Sequence, residues 1–126
     1  MKDSMWTRDQ LKAFIEEEFG EGHFRTMVGK MKEIVISTII GTVDQVQGKK
    51  GSFEMIGYDM MIDDKLNPWL IEINSSPAMD YSSPVTRKLV RMVMEDIVKV
   101  IVDNRKKKTK KKIAGEFKCI YSGEPF

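Results

Sequence analysis

The sequence predicts an α+β fold in which antiparallel strands pack with helices. Three long stretches place apolar residues at three- and four-residue steps, which is the spacing of one helix face. Between the second and third of them lie two short, almost continuously apolar runs, which are typical of strands. Only residues 63–68 separate these two runs, so we expect them to be neighbouring antiparallel strands.

Two helices are predicted before the strands. Residues 6–18 carry Leu11, Phe14 and Ile15 at helical spacing, and glycines follow as terminators. Residues 28–46, with Met27 just before them, repeat the same spacing, and we assign Met27 and Met31 to core packing rather than to a ligand site.

The strands are predicted over residues 53–62 and 69–74. The first is apolar on both faces, as in the centre of a sheet. Alternate residues of the second share a face, and we expect one of its faces to pack into a core. That face carries Trp69, Ile71 and Ile73. In the connecting turn, Asp63 and Asp64 are expected to face solvent.

A third helix is predicted over residues 84–104, with Pro84 at its first position. Its expected buried face consists of Val85, Leu89, Met92, Val93, Ile97, Val100 and Ile101. Lysines crowd residues 106–112, which we interpret as a solvated connector, although such a run also suits an acidic polymer, a membrane surface or nucleic acid. Residues 116–121 predict one more short strand.

The composition limits the kinds of site that the chain can hold. With Cys119 as its one cysteine, the chain forms no internal disulfide, which fits a reducing compartment such as the cytosol. A single cysteine and a single histidine also exclude a zinc site built from several such ligands, and we expect His23 at the surface or at a helix cap. No apolar run reaches the roughly 20 residues of a membrane span, and the first residues are too polar for a secretory signal.

Two polar residues interrupt the second apolar strand. Glu72 and Asn74 lie two positions apart, so they share a face. Carboxylate and amide oxygens suit Mg²⁺, and a bound metal would offset the cost of an unpaired carboxylate in the interior. Asp59, near the end of the first strand, is a third candidate, although parity does not decide which face it occupies. An ion pair between Glu72 and a lysine or arginine, with Asn74 capping the next loop, remains the alternative.

These three residues lie within a longer pattern. Asp59, followed by the segment PWLIEINSSP at residues 68–77, resembles the magnesium-binding signature of tubulin–tyrosine ligase-like enzymes. These enzymes are ATP-grasp ligases that add amino acids to tubulin. The resemblance implies that Asp59, Glu72 and Asn74 bind the metal ions of Mg-ATP, so ATP and Mg²⁺ are the expected cofactors. It also implies a partial ATP-grasp fold, the C-terminal lobe.

Further segments are similar to the glycylase branch of this family, namely Met5 and Trp6 with Gln10 and Phe14, FEMIGYD at residues 53–59, SPAM at residues 76–79 and EFKCIY at residues 116–121. This resemblance implies that ATP phosphorylates a glutamate side chain of tubulin. The amino group of glycine then attacks the acyl phosphate, which forms an isopeptide bond and releases phosphate. The alternatives are a tubulin polyglutamylase, a ligase for a small metabolite, and a truncated microtubule-binding module without catalysis.

The resemblance also implies a domain organisation. Residues 1–105 correspond to the C-terminal part of the catalytic domain, residues 106–112 to a connector, and residues 113–126 to the terminal strand and tail of the same domain. The family's upstream lysines that contact phosphate and adenine have no counterpart here. We therefore expect this chain to be a poor ligase by itself.

The implied partners are tubulin and microtubules, whose tails are acidic, together with a free amino acid, glycine. Arg87, Lys88 and Arg91, near the start of the third helix, are candidate contacts for such tails. We expect neither nucleic acid nor a membrane as a partner. The implied location is the cytoplasm and cytoskeleton, including the axoneme of a cilium or flagellum.

Overall fold

A computed structural model of the chain describes residues 4–45, 51–103 and 113–123. Helices and antiparallel strands alternate in it, which confirms the predicted α+β class. The elements are α1 (Arg8–Phe19), α2 (His23–Thr42) with a 3₁₀ turn (Val43–Gln45), β1 (Gly57–Ile62), β2 (Pro68–Asn74), α3 (Pro84–Val98) with a π-helical turn (Lys99–Asp103), β3 (Ile113–Ala114) and β4 (Phe117–Lys118).

The described residues form two compact units. One unit is Arg8–Ala78, which contains α1, α2 and the β1–β2 hairpin. The other contains α3 and the β3–β4 hairpin, together with the described residues that precede Arg8. The predicted lysine-rich connector over residues 106–112 lies outside the described residues.

The core of the first unit is small. Among the described residues, four apolar side chains are buried, and they are Ile15, Phe24, Met27 and Leu66. Burial of Met27 at 1% exposure confirms its assignment to core packing. Leu66 enters from the turn between the strands, where its backbone adopts a positive φ of 61°. A side chain in this uncommon conformation anchors the hairpin turn in the helical core.

Helix α2 lies against one face of the hairpin. The hydroxyl oxygens of Thr38 and Tyr58 are 2.7 Å apart, and Lys30 Nζ donates to Asn67 Oδ1 at 2.7 Å. Tyr58, Met60 and Ile62 are half-buried on this side of β1, whereas the residues between them are exposed. His23 is exposed at the start of α2 with its Nδ1 3.2 Å from the Gly20 carbonyl oxygen, as expected of a surface residue.

Two expectations about the strands are wrong. The first strand was predicted to be central, but in the described part of the chain β1 pairs with β2 alone. The second was predicted to bury one apolar face, but Trp69, Ile71 and Ile73 are 62%, 60% and 45% exposed. For Trp69 the physical reason is that a two-stranded sheet with a helix on one side leaves its other side open to solvent.

Helix α3 begins where the sequence predicts. Ser83 is its N-cap, and Pro84 occupies the first turn. The Ser83 hydroxyl accepts from the backbone N–H of Thr86, and the Thr86 hydroxyl accepts from the backbone N–H of Ser83, which is a capping box. The predicted buried face is wrong for Leu89 and Val100, which are 50% and 38% exposed. None of the described helices is long and apolar enough to cross a membrane.

The residue that α3 does bury is Asp96, at 5% exposure. Its carboxylate accepts from the backbone N–H of Glu116 at 2.9 Å and from Lys99 Nζ at 2.7 Å. The Glu116 bond and then the Lys99 bond hold the pKa of Asp96 below its usual value, and the same ion pair raises the pKa of Lys99. One strand was predicted over residues 116–121, whereas the chain forms two short strands that turn at Gly115.

Candidate metal site

The three predicted ligands meet on the β1–β2 hairpin. The antiparallel register places Asp59 opposite Glu72 and Gly57 opposite Asn74. Directly paired residues of antiparallel strands point to the same face, so Asp59, Glu72 and Asn74 share one face. The Asn74 side-chain amide donates to Asp59 Oδ2 at 3.0 Å. The register thus answers the question that parity left open for Asp59.

A β-bulge borders this cluster. Asp59 pairs with Glu72, but the next residue, Met60, pairs with Leu70, so Ile71 is an extra residue in β2. Bulges bend the strand and redirect side chains, and they are frequent beside active sites. Here the bulge interrupts the regular alternation along β2, immediately next to Glu72.

The bulge also changes which residues share the face of the cluster. Beyond it, Met61 pairs with Trp69. Because Met61 lies two positions after Asp59 on the same strand, Met61 and Trp69 share a face with Asp59. We call this side of the hairpin the open face; its members are Gly57, Asp59, Met61, Trp69, Glu72 and Asn74. It combines polar oxygens near the start of β1 with exposed apolar side chains further along.

The electrostatics of the cluster differ from the sequence-based expectation. Asp59 and Glu72 are exposed, so the burial cost invoked for Glu72 does not apply. Instead, two carboxylates face each other across a strand pair, and like charges in that arrangement repel. The Asn74 amide offsets part of this repulsion at Asp59. In the part of the chain that the structure describes, Glu72 forms no ion pair with a lysine or arginine.

The donor set suits a hard divalent cation. Two carboxylates and one amide supply oxygen ligands of the kind that Mg²⁺ prefers, and Mg²⁺ keeps further positions for water and phosphate. Within residues 4–45, 51–103 and 113–123, no three or more His, Cys, Asp and Glu side chains group as a metal site. A metal on this face would therefore rest on a pair of acids with an amide rather than on a closed cage.

Sequence reasoning missed the role of Asp63. It was expected to face solvent, but it is half-buried and organises the hairpin turn. Its Oδ1 accepts from the backbone N–H groups of Lys65 at 3.0 Å and Asn67 at 2.8 Å, and its Oδ2 accepts from Trp69 Nε1 at 3.1 Å. These bonds, led by that of Asn67, lower the pKa of Asp63. An aspartate that bonds to the backbone two residues on is a known turn signal. Asp64 is exposed, as predicted.

Met61 is a second residue that sequence reasoning did not single out. It is 65% exposed on the open face, two positions after Asp59. The signal that reveals it is the strand period of two: once Asp59 faces outward, Met61 must face outward too.

The predicted basic contacts lie on α3, in the second unit. Arg87, Lys88 and Arg91 are all exposed. The Arg87 guanidinium lies 5.7 Å from the ring centre of Tyr81, a cation–π arrangement. All three side chains are thus accessible, and their role in substrate binding remains a prediction.

Comparison with known proteins gives consistent matches over most of the chain. A model described as the tubulin-tyrosine ligase family matches residues 1–110. The chain is 46% identical to tubulin glycylase 3B of Tetrahymena thermophila over 126 residues, and 42% identical to tubulin glycylase 3C of that organism over 126 residues. These alignments cover 97% and 96% of this chain.

A human relative matches as well. The chain is 37% identical to tubulin monoglycylase TTLL3 of Homo sapiens over 102 residues, which is 80% of this chain. The same alignments cover only 11%, 12% and 13% of the three relatives. The chain therefore spans about an eighth of the length of the curated relatives that it matches.

Proposed function

Because this chain belongs to the tubulin-tyrosine ligase family, we propose that it is the metal-binding part of a longer ATP-grasp ligase that joins an amino acid to glutamate side chains of tubulin. The observation that carries this proposal is the pairing of Asp59 with Glu72 across the hairpin, with Asn74 bonded to Asp59. These residues belong to the segments on which the family resemblance rests.

The proposed ligands are Asp59, Glu72 and Asn74. A magnesium ion held there would neutralise charge on the phosphates of ATP and would align the group being transferred. The two carboxylates supply the negative charge that balances the cation. The hydrogen bond from the Asn74 side chain holds the Asp59 carboxylate in place relative to Glu72. In this proposal none of the three residues acts as a nucleophile or transfers a proton.

The proposed reaction balances as two steps. The glutamate carboxylate of the acceptor takes the γ-phosphoryl group of ATP and ADP leaves. The amine of the incoming amino acid then attacks the acyl carbon, a proton leaves the nitrogen, and phosphate departs as the isopeptide bond forms. The protein contributes binding and electrostatic stabilisation, which supply most of the catalysis in phosphoryl transfer. We place this activity in the cytoplasm at the cytoskeleton, including the axoneme.

Glycine is the proposed amino acid because the relatives at 46%, 42% and 37% identity carry glycylase names. The test is incorporation of labelled glycine or labelled glutamate into tubulin by the full-length ligase with ATP and Mg²⁺. We expect glycine to be incorporated and glutamate not. Incorporation of glutamate would indicate a polyglutamylase, and binding to microtubules without any incorporation would indicate a module that lacks catalysis.

We propose that Arg87, Lys88 and Arg91 attract the acidic tubulin tail. All three are exposed on α3, and clustered positive charge raises the local concentration of an anionic substrate. Replacing all three with alanine in the full-length ligase should raise KM for tubulin about tenfold and leave kcat nearly unchanged, since each exposed charge contributes below about 1 kcal/mol.

Arg25→Ala is the matched control, since Arg25 is an exposed arginine of α2 in the other unit. The KM difference between wild type and the triple variant should shrink as salt is added, because salt screens exposed charges. A KM that neither the triple substitution nor salt alters would rule out this contact.

A further inference from the structure

Gly57 is a glycine in an ordinary β-strand, which calls for an explanation other than backbone conformation. It lies in β1, and its φ is not among the positive values found at other glycines of the described chain. Glycine weakens a strand because it loses more conformational entropy on folding than other residues and offers no side chain to pack. In a strand it often marks a place where another segment approaches closely. The neighbour that approaches Gly57 is Pro77.

Space rather than φ requires glycine at this position. A Cβ on residue 57 would lie 3.0 Å from Pro77 Cβ and 3.8 Å from Pro77 Cγ, and also 3.9 Å from Asn74 Cβ. The chain leaves β2 after Asn74, and Pro77 returns against β1 at the residue paired with Asn74. Ser75 and Ser76 between them are exposed, whereas Asn74 and Pro77 are half-buried.

The size of the clash determines its consequence. A contact of 3.0 Å is shorter than ordinary carbon–carbon packing by several tenths of an ångström, and the ring of a proline has little freedom to rotate away. Metal sites tolerate ligand distances within about 0.2 Å of their ideal values. A displacement too small to unfold the hairpin is therefore large enough to disturb a ligand three residues away from Pro77.

We propose that Gly57 and Pro77 are positioning residues of the metal site, which hold Asn74 in place for its bond to Asp59. This inference rests on the proposed function, because it assigns the two residues to the same metal cluster. The absence of a side chain at position 57 lets Pro77 pack against the strand. That packing fixes the backbone after Asn74. The Asn74 side-chain amide, which donates to Asp59 Oδ2 at 3.0 Å, then orients the Asp59 carboxylate.

The test is Gly57→Ala in the full-length ligase, with Mn²⁺ binding in the presence of ATP followed by electron paramagnetic resonance, and with the initial rate measured against Mg²⁺ concentration at saturating ATP. We expect the Mn²⁺ affinity to fall about tenfold. We expect the Mg²⁺ concentration at half-saturation to rise about tenfold, because groups that orient metal ligands affect metal affinity by about 10–100-fold. We expect kcat at saturating Mg²⁺ to stay within about threefold of wild type, and KM for tubulin to stay unchanged. A general loss of folded protein would lower kcat and leave half-saturation unaltered.

Gly29→Ala is the matched control, because a Cβ on residue 29 of α2 meets nothing within 4 Å. Pro77→Gly provides a second route to the same contact by removing the atoms that face position 57. It should also raise the Mg²⁺ half-saturation, and the double variant should be no worse than the worse single variant, since both act through one contact.

Measuring Glu72→Gln in the same assay distinguishes failure of the metal assignment from failure of the positioning role. If Glu72→Gln retains full activity, the metal assignment fails and the proposed function fails with it. If Glu72→Gln is inactive but both Gly57→Ala and Pro77→Gly keep the wild-type Mg²⁺ half-saturation, the positioning role alone is overturned. Additive effects of the two substitutions would likewise contradict a shared contact.

Discussion

Glu72→Gln in the full-length ligase is expected to lower kcat at least about 100-fold. Substitution of groups that merely orient metal ligands already costs about 10–100-fold, and Glu72 is proposed as a ligand itself. Glutamine has nearly the same shape and retains one carbonyl oxygen, so the substitution removes charge rather than packing. Transfer of labelled amino acid to tubulin at fixed Mg²⁺ and ATP measures the effect.

Glu18→Gln is the matched control for this substitution. Glu18 is an exposed glutamate of α1, in the same unit as the hairpin. We expect wild-type activity from it and unchanged circular dichroism from both variants, since Glu18 and Glu72 are both exposed. Normal turnover by Glu72→Gln would mean that this carboxylate does not hold the metal.

Gly115→Ala is expected to detach the β3–β4 hairpin from α3. Gly115 has a φ of 61°, where a side chain costs about 1–2 kcal/mol. An added Cβ would also overlap the carboxylate of Asp96, which holds the Glu116 amide at 2.9 Å. Protection of the Glu116 amide against hydrogen exchange should therefore fall at least about tenfold, the factor that corresponds to about 1.4 kcal/mol.

Hydrogen exchange followed by mass spectrometry on the full-length ligase checks this result in peptides that cover residues 113–118. Gly123→Ala is the control, because a Cβ there meets nothing within 4 Å and its exchange pattern should match wild type. Unchanged protection against hydrogen exchange in Gly115→Ala would show that the hydrogen bond from Glu116 to the Asp96 carboxylate does not hold this hairpin against α3.

Local sequence signals predicted the elements well where one chain segment determines them. Pro84 suits the first turn of a helix, so the beginning of α3 was found at the correct residue. The two strands and their antiparallel pairing followed from two apolar runs and a short connection. The shared face of Glu72 and Asn74 followed from the strand period and agrees with the register.

The predictions that failed depend on partners that lie far apart in the sequence. The exposure of Trp69 reflects an open face that no further strand or helix covers in the described part of the chain, and periodicity does not report this. The bulge at Ile71 depends on the register between two strands, and no single strand specifies it. Asp96 is buried because Glu116, twenty positions later, reaches its carboxylate.

The candidate site likewise has a part that the sequence predicted and a part that required the structure. Residue types and spacing identified Glu72 and Asn74 as possible ligands, with Asp59 as a third candidate, and family resemblance implied that all three bind the metal ions of Mg-ATP. The direct pairing of Asp59 with Glu72, the bond from Asn74, and the approach of Pro77 to Gly57 required coordinates. These contacts bring the three candidate ligands together on one face of the hairpin.

The most direct test of the central claim, that this hairpin binds the metal, is a titration of Mn²⁺ into the full-length ligase with ATP, followed by electron paramagnetic resonance. Mn²⁺ takes the same kind of oxygen ligands as Mg²⁺. We predict that Glu72→Gln weakens the binding at least about tenfold while Glu18→Gln leaves it unaltered. Equal Mn²⁺ affinity in wild type and Glu72→Gln would show that Glu72 does not bind the metal.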